Sequence, residues 1–338
     1  MKILLKKKFI IIVAGIAFIL LIAGLCLSLF SPASAENKKL MLDYHLENGM
    51  TIPKIGEDLQ EAGIIRSATA FYIHARIYKP VVKAGFYHLE SNMTLKEIFS
   101  IFATGTQMEI PVTVKEGLTS RMIGELLEEK EIVGQEDFLA AVKNKELLEE
   151  LNIPFDTAEG YLFPDTYSFI KNMKAEDVVK IFVKNFWATT KNNNIEISDT
   201  ENFQNMIILA SIIEREYQVP EEAPLIASVF LNRLSQNINL GSCATVVYII
   251  TEILKKPHPS QLFYSDLEVD SPYNTYKNPG LPPAPICNPG IVALKAATEP
   301  AKSDYLYFRL TDASAGKHTF TRTLDEHIDA GRLYVKGK

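Results

Sequence analysis

The helix-forming run from Phe203 to Tyr217 is apolar nearly all round until it reaches Glu214, and between Met206 and Ile213 only Ser211 is polar. A helix that is apolar on every side is buried. A carboxyl at the end of such a helix loses solvation, which disfavours its charged form and raises its pKa. That property suits a general acid that holds a proton near neutral pH, delivers it to a leaving oxygen, and then serves as a base. Pattern alone leaves a second reading open, a structural ion pair between Glu214 and an arginine such as Arg233.

The elements that must position this carboxyl are mostly helical. From Val133 onward, apolar residues recur at three- and four-residue spacing in Glu136–Leu151, Ala175–Thr190, Glu201–Tyr217, Glu221–Ser235 and Ala244–Leu254, which predicts helices. Tyr305–Leu310 and Thr319–Thr323 alternate around a turn-rich Asp312–Gly316 and predict a hairpin. The Pro-rich stretch from Ser271 to Pro289 is rich in aromatic residues and reads as a loop that shapes a site.

Before this region the chain repeats itself. Asn48-Gly49-Met50-Thr51 leads to Ile55-Gly56-Glu57 and Leu59, and Glu116-Gly117-Leu118-Thr119 leads to Ile123-Gly124-Glu125 and Leu127, with a third echo at Asn92-Met93-Thr94-Leu95. In each copy a Thr stands where it can accept a backbone N–H at a helix start, so each reads as strand, turn, short helix. Such βα pieces resemble the LysM-like module that binds glycan chains; small α+β units that only pack on the next domain are the other reading.

At the amino terminus Met1 to Lys8 carries Lys2, Lys6, Lys7 and Lys8, and Phe9 to Phe30 has no charged residue. At a helical rise of 1.5 Å per residue that run reaches roughly 33 Å, enough for a hydrocarbon core of about 30 Å. The lysines predict a cytoplasmic N-terminus and an exported remainder. Ala33-Ser34-Ala35 resembles a signal-peptide cleavage site, but the apolar run exceeds the roughly 7–15 residues of a signal core. The expectation is a retained single-pass anchor in the cytoplasmic membrane, followed by a tether over residues 31–39.

The formal net charge is −6. Setting aside the four lysines before Phe9 leaves about −10 on the exported part, which excludes nucleic acid as a partner, because its binding rests on cations neutralising phosphates. Only Cys243 and Cys287 are exported, no disulfide framework, although one bridge between them stays open. The six histidines lack the short spacings of metal sites, so no metal or cofactor is implied.

Leu209-Ala210-Ser211-Ile212-Ile213-Glu214-Arg215-Glu216, followed by Pro224-Leu225-Ile226-Ala227-Ser228-Val229-Phe230-Leu231-Asn232-Arg233-Leu234, resembles the signature of the endolytic murein transglycosylases, the MltG/YceG-like family. Glu159-Gly160-Tyr161-Leu162-Phe163-Pro164-Asp165-Thr166-Tyr167 precedes it. Ser271-Pro272-Tyr273-Asn274-Thr275-Tyr276, Gly280-Leu281-Pro282-Pro283-Ala284-Pro285-Ile286, Asn288-Pro289-Gly290, Tyr305-Leu306-Tyr307-Phe308 and His318-Thr319-Phe320 follow. The resemblance implies a single-pass anchor, a LysM-like subdomain and a catalytic domain. It also implies cleavage within nascent peptidoglycan glycan strands, between N-acetylmuramic acid and N-acetylglucosamine, leaving a 1,6-anhydro-muramyl end. It places the essential Glu at Glu214.

The expected fold class is α+β: a transmembrane helix at 9–30 after a basic segment at 1–8, a small LysM-like repeat region at 40–131, and a larger, mostly helical catalytic domain at 132–338. Asn232, Arg233, Thr245, Tyr273, Asn274 and His318 are candidates for positioning substrate, with core support as the competing role. The sequence departs from the family pattern at Gly241-Ser242-Cys243-Ala244-Thr245, where that pattern has Ser-Asp-Pro-Thr. Cys243 cannot replace an acid there, which favours Glu214 acting with hydrogen-bond donors only, and Cys243 is expected beside the cleft. Two other functions compete. A muramidase acting on the same bond would need a second carboxylate, for which Asp165, Asp266 and Asp270 are available. A non-catalytic scaffold would bind glycan strands and recruit peptidoglycan synthases.

Overall fold

The computed structural model describes residues 24, 28–35, 39–47, 49–105, 109–195 and 200–336. The expected anchor, Phe9–Phe30, and the basic segment before it lie almost wholly outside the described residues. Among the described residues no helix is long and apolar enough to cross a membrane. The chain divides into two compact units, with the division between Glu109 and Ile110. Among the described residues helices combine with three two-stranded antiparallel sheets, which makes the fold α+β.

In the first unit β1 (Met41–Leu46) pairs with β2 (Gly85–Glu90), with Tyr44 opposite Tyr87. The helices are α1 (Ile52–Glu61), α2 (Ala68–Tyr78) and α3 (Leu95–Thr104). Alternation puts Tyr44, Leu46, Tyr87 and Leu89 on the inner face, against Ile55 and Leu59 of α1, Phe71 of α2 and Phe99 and Phe102 of α3. The repeat behaves as its sequence requires. Thr51 and Thr94 cap α1 and α3, and Thr94 with Glu97 closes a full capping box.

The copy at Glu116–Leu127 has the same form, β3 (Ile110–Thr113), a turn, then α4 (Ser120–Glu129) capped by Thr119. It belongs to the second unit, because β3 pairs with β4 (Thr166–Phe169) and Val112, Ile123 and Leu127 enter the second core. The compact division therefore falls before this copy, whereas the repeat pattern groups residues 40–131 together.

The second unit continues with α5 (Gln135–Ala141), α6 (Lys145–Glu150), α7 (Ala175–Asn192), α8 (Thr200–Glu214), α9 (Ala223–Ser235), α10 (Cys243–Tyr248) and α11 (Ile291–Thr298). Strands β5 (Tyr307–Asp312) and β6 (Lys317–Thr321) form the expected hairpin, and α12 (Leu324–Lys336) follows. α8 is the spine of this unit. Ile207, Ala210, Ile212 and Ile213 are fully buried, and the helix packs on α9 and α11. Two expected helices are interrupted. Glu136–Leu151 breaks at Asn144, whose side chain caps α6 by accepting Leu147 N–H at 3.1 Å. Ala244–Leu254 changes after Tyr248 into a wider π-turn over Ile249–Ile253, closed by Leu254 N–H to the Ile249 carbonyl at 2.8 Å.

Candidate active site

α8 ends at Glu214 because the chain tightens there: Arg215 and Glu216 donate to the carbonyls three residues back, Ile212 and Ile213. This closing turn sends three side chains in different directions. Glu214 accepts the Gly290 N–H on Oε2 at 2.9 Å and the Tyr217 hydroxyl on Oε1 at 3.2 Å. Glu216 points to the start of α10, where it takes the Ser242 hydroxyl at 2.5 Å and the Ala244 N–H. Arg215 donates to the Gly117 carbonyl at 3.2 Å.

Burial pushes the Glu214 carboxyl up to about 7, and the negative charge of Glu116 adds to the rise. The Gly290 and Tyr217 donors and the Arg215 charge oppose it without cancelling it. Glu214 can therefore hold a proton at neutral pH, and two fixed donors receive its charge once the proton leaves. No ion pair engages it among the described residues, so the alternative of an Arg233 partner fails.

The Gly290 donor is held in place by a buried polar cluster. Ser211, one turn before Glu214 on α8, accepts Ile286 N–H at 3.0 Å, which pins the end of the Pro-rich loop. Two residues on, the fully buried Asn288 donates to Glu159 at 2.7 Å and to the Leu118 carbonyl at 3.0 Å. Its Oδ1 accepts the N–H groups of Gly160 and Leu162 at 2.8 and 2.9 Å. Glu159 in turn accepts Ser120 N–H at the start of α4, and burial pushes its own carboxyl up to about 7. Gly160 must be glycine here: its φ is +92°, and a Cβ would lie 2.7 Å from Pro285 Cγ. The cluster joins the loops at 117–120, 159–162 and 286–290, and the last of these presents Gly290 to Glu214.

Glu116 lies beside the same donor, since a Cβ on Gly290 would come within 2.6 Å of its Cγ. It is exposed and is the carboxylate whose charge acts on Glu214. Sequence reasoning offered Asp165, Asp266 and Asp270 as second acids. Asp165 instead holds Asn185 at 2.9 Å, and Asp266 caps its own turn through Phe263 N–H. The signal for Glu116 was present in its repeat, but nothing in that repeat marks contact with a residue so distant along the chain.

The six candidate positioning residues are gathered around the scaffold. Asn232 donates to the Ser303 and Tyr305 carbonyls, both at 2.9 Å. Arg233 donates to Leu306 at 2.6 Å and Leu240 at 2.7 Å, with its guanidinium 4.9 Å from the Tyr307 ring centroid. Thr245 shares a hydrogen bond with Thr275 at 2.9 Å, Asn274 donates to Leu267 and Val269 at 2.8 Å, and Tyr273 packs on Tyr248. His318 meets Glu222 at 2.7 Å. Among the described residues none of the six has a hydrogen bond to Glu214; Gly290 and Tyr217 do.

Cys243 is free and exposed at the start of α10, 3.0 Å from the Tyr276 hydroxyl, while Cys287 is free and buried, its thiol pushed well up by burial. Mild alkylation of the native protein should therefore label Cys243 without prior reduction and leave Cys287 untouched until denaturation. Peptide mass mapping checks this, and Cys243 labelling that requires a reductant would contradict it.

A model described as the YceG-like family matches residues 44–332. An endolytic murein transglycosylase of Bacillus subtilis is 32% identical over 92% of this chain and 89% of that protein. One from Streptococcus pneumoniae is 29% identical over 88% of this chain, which spans only 58% of that longer protein. A crystal structure of a yceG-like protein from Listeria monocytogenes superposes with a TM-score of 0.58 at 31% identity, over 86% of this chain and 99% of that one. On the breadth of these matches, the chain belongs to the YceG-like family.

Proposed function

We propose that this protein is an endolytic lytic transglycosylase that cleaves the bond between N-acetylmuramic acid and N-acetylglucosamine in peptidoglycan, with Glu214 as its acid and base. The observation that carries the reading is the Glu214 carboxyl, held near pKa 7 between the Gly290 N–H and the Tyr217 hydroxyl within the family motif. The names of the Bacillus and Streptococcus relatives support it.

Glu214 gives its proton to the bridging oxygen, the C1–O bond breaks with both electrons leaving on that oxygen, and an oxocarbenium-like charge develops at the muramic C1. Glu214, now ionised and steadied by its two donors, takes the proton of the same sugar's C6 hydroxyl as that oxygen attacks C1. The product is a 1,6-anhydro end, and no water is consumed. The negative charge of Glu116 stabilises the developing positive charge. Asn232, Arg233, Thr245, Tyr273, Asn274 and His318 support the walls.

The adjacency of Glu116 favours one alternative, hydrolysis of the same bond with Glu116 directing a water. Mass analysis of uncross-linked strands digested by the purified protein separates the two. Anhydro ends are expected; reducing ends would make it a muramidase. Above pH 7 the rate should fall about tenfold per pH unit as Glu214 loses its proton. A rate flat to pH 9 would remove Glu214 from the acid role.

The uncharged run Phe9–Phe30 behind four lysines supports a cytoplasmic-membrane anchor with the remainder outside. The βα units of the first half support a LysM-like glycan-binding role. Peptidoglycan synthases, which make the strands, are the fitting protein partners.

A further inference from the structure

We propose that the cationic cleft beside Glu214 binds the carboxylates of the peptide stems carried by the glycan, an inference that rests on the peptidoglycan reading above. The cleft has a volume of about 470 Å³, and its charged lining includes Arg121, Arg215, Lys255 and Lys256. Arg121 is already neutralised, its guanidinium gripped by Glu252 at 2.9 and 3.0 Å and paired also with Glu125. Arg215, Lys255 and Lys256 have no carboxylate within 4.0 Å among the described residues. Three cations without an ion-pair partner on one cleft are a local exception in a chain whose net charge is −6, although Arg215 also feels the carboxylates of Glu214 and Glu216. Such a group attracts anions, and with Met122, Val247 and Ile286 also lining the cleft it suits a short peptide with methyl side chains and a carboxylate end.

Its position relative to the broken bond gives the class of ligand. Arg215 directly follows Glu214, and its bond to Gly117 ties the cleft to the loop that covers the carboxyl. A Cβ on Gly117 would lie 3.7 Å from both the Glu214 Cγ and the Arg215 Nη1, so one backbone turn borders both. In peptidoglycan the peptide hangs from the lactyl group of the muramic sugar, the same sugar whose C1 loses its partner. A strand placed with that C1 at Glu214 therefore brings a stem, with its carboxylates, to the neighbouring wall. The cleft would then make the enzyme select strands that still carry peptides over bare glycan.

The test uses the full chain in detergent and two substrates of equal glycan length, peptide-bearing strands and strands stripped by an amidase, with release of anhydro ends as the readout. The variant is Lys255→Glu with Lys256→Glu. Both positions are exposed, and Lys255→Gln with Lys256→Gln serves in its place should the reversal disturb folding. Wild type should cleave peptide-bearing strands with the higher kcat/KM. The variant should lose about five- to tenfold on them, mostly through KM, while staying within about twofold on stripped strands. Strands whose stem carboxylates are converted to amides should behave as stripped ones, which separates peptide carboxylates from any phosphate remaining on the glycan. Equal losses on both substrates, no loss on either, or no wild-type preference would overturn the proposal. Wild type that releases no anhydro ends from either substrate would instead overturn the transglycosylase reading beneath it.

Discussion

Glu214→Gln should lower the release of anhydro ends by roughly 10²–10⁴-fold, the contribution of a positioned general acid, while leaving the protein folded. The amide matches the carboxyl in shape, and its oxygen can still accept the Gly290 N–H that Glu214 accepts at 2.9 Å. What it lacks is a proton that can leave and return. Circular dichroism and melting should change little, because the variant removes a carboxyl that burial already disfavours in its charged form. Glu116→Gln is the informative companion. Its charge raises the Glu214 pKa, so its removal should move the alkaline limb of the rate profile to lower pH while anhydro product continues to form. If Glu214→Gln keeps near-normal product formation, the carboxyl is not the acid, and another group must supply the proton.

Glu214 was legible because a run as apolar as Met206–Ile213 has one fate, burial, and the first acid after it inherits that environment. The three threonine caps were legible for a similar reason: capping is a local contact that spans three residues. The residues that complete the site were not, although Glu159, Asn288 and Gly290 lie within the motifs that carry the family resemblance. Asn288 meets Glu159 across 129 positions of sequence and Gly290 meets Glu214 across 76. Loops with no periodicity give no sign of which other loop they touch. The same limit explains the six candidate positioning residues. Asn232 and Arg233 lie on a helix near the motif, yet their donors turn to the 303–306 backbone, a direction that spacing alone does not encode. The break at Asn144 is different, since an N-cap residue was visible there and the apolar spacing on both sides concealed it.

Asn288→Ala should destabilise the second unit by about 3–5 kcal/mol, because each buried polar group left without its partner costs about 1–3 kcal/mol. The Gly160 and Leu162 N–H groups lose their acceptor and Glu159 loses its shortest donor, all inside the fold. Against a typical total of about 5–15 kcal/mol this is a large fraction, and a melting point lower by on the order of 10 °C is the expected reading. Activity below the melt should fall as well, since the loop that carries Gly290 loses its tie to Glu159. Asn288→Asp makes the cause testable through pH. Glu159 is already raised to about 7 by burial, so the folded state holds its proton more tightly than the unfolded chain does. Stability from that proton is complete below the unfolded value of about 4.3 and is lost as pH rises through about 7. A second buried carboxyl beside it raises both further. Asn288→Asp should therefore melt far below wild type at pH 7.5 and recover much of the difference at pH 5, where a protonated pair can share a hydrogen bond. Asn288→Ala has no such proton to regain, so its deficit should persist at pH 5. Parallel melting curves for the two variants at both pH values would show that Asn288 does not work through Glu159.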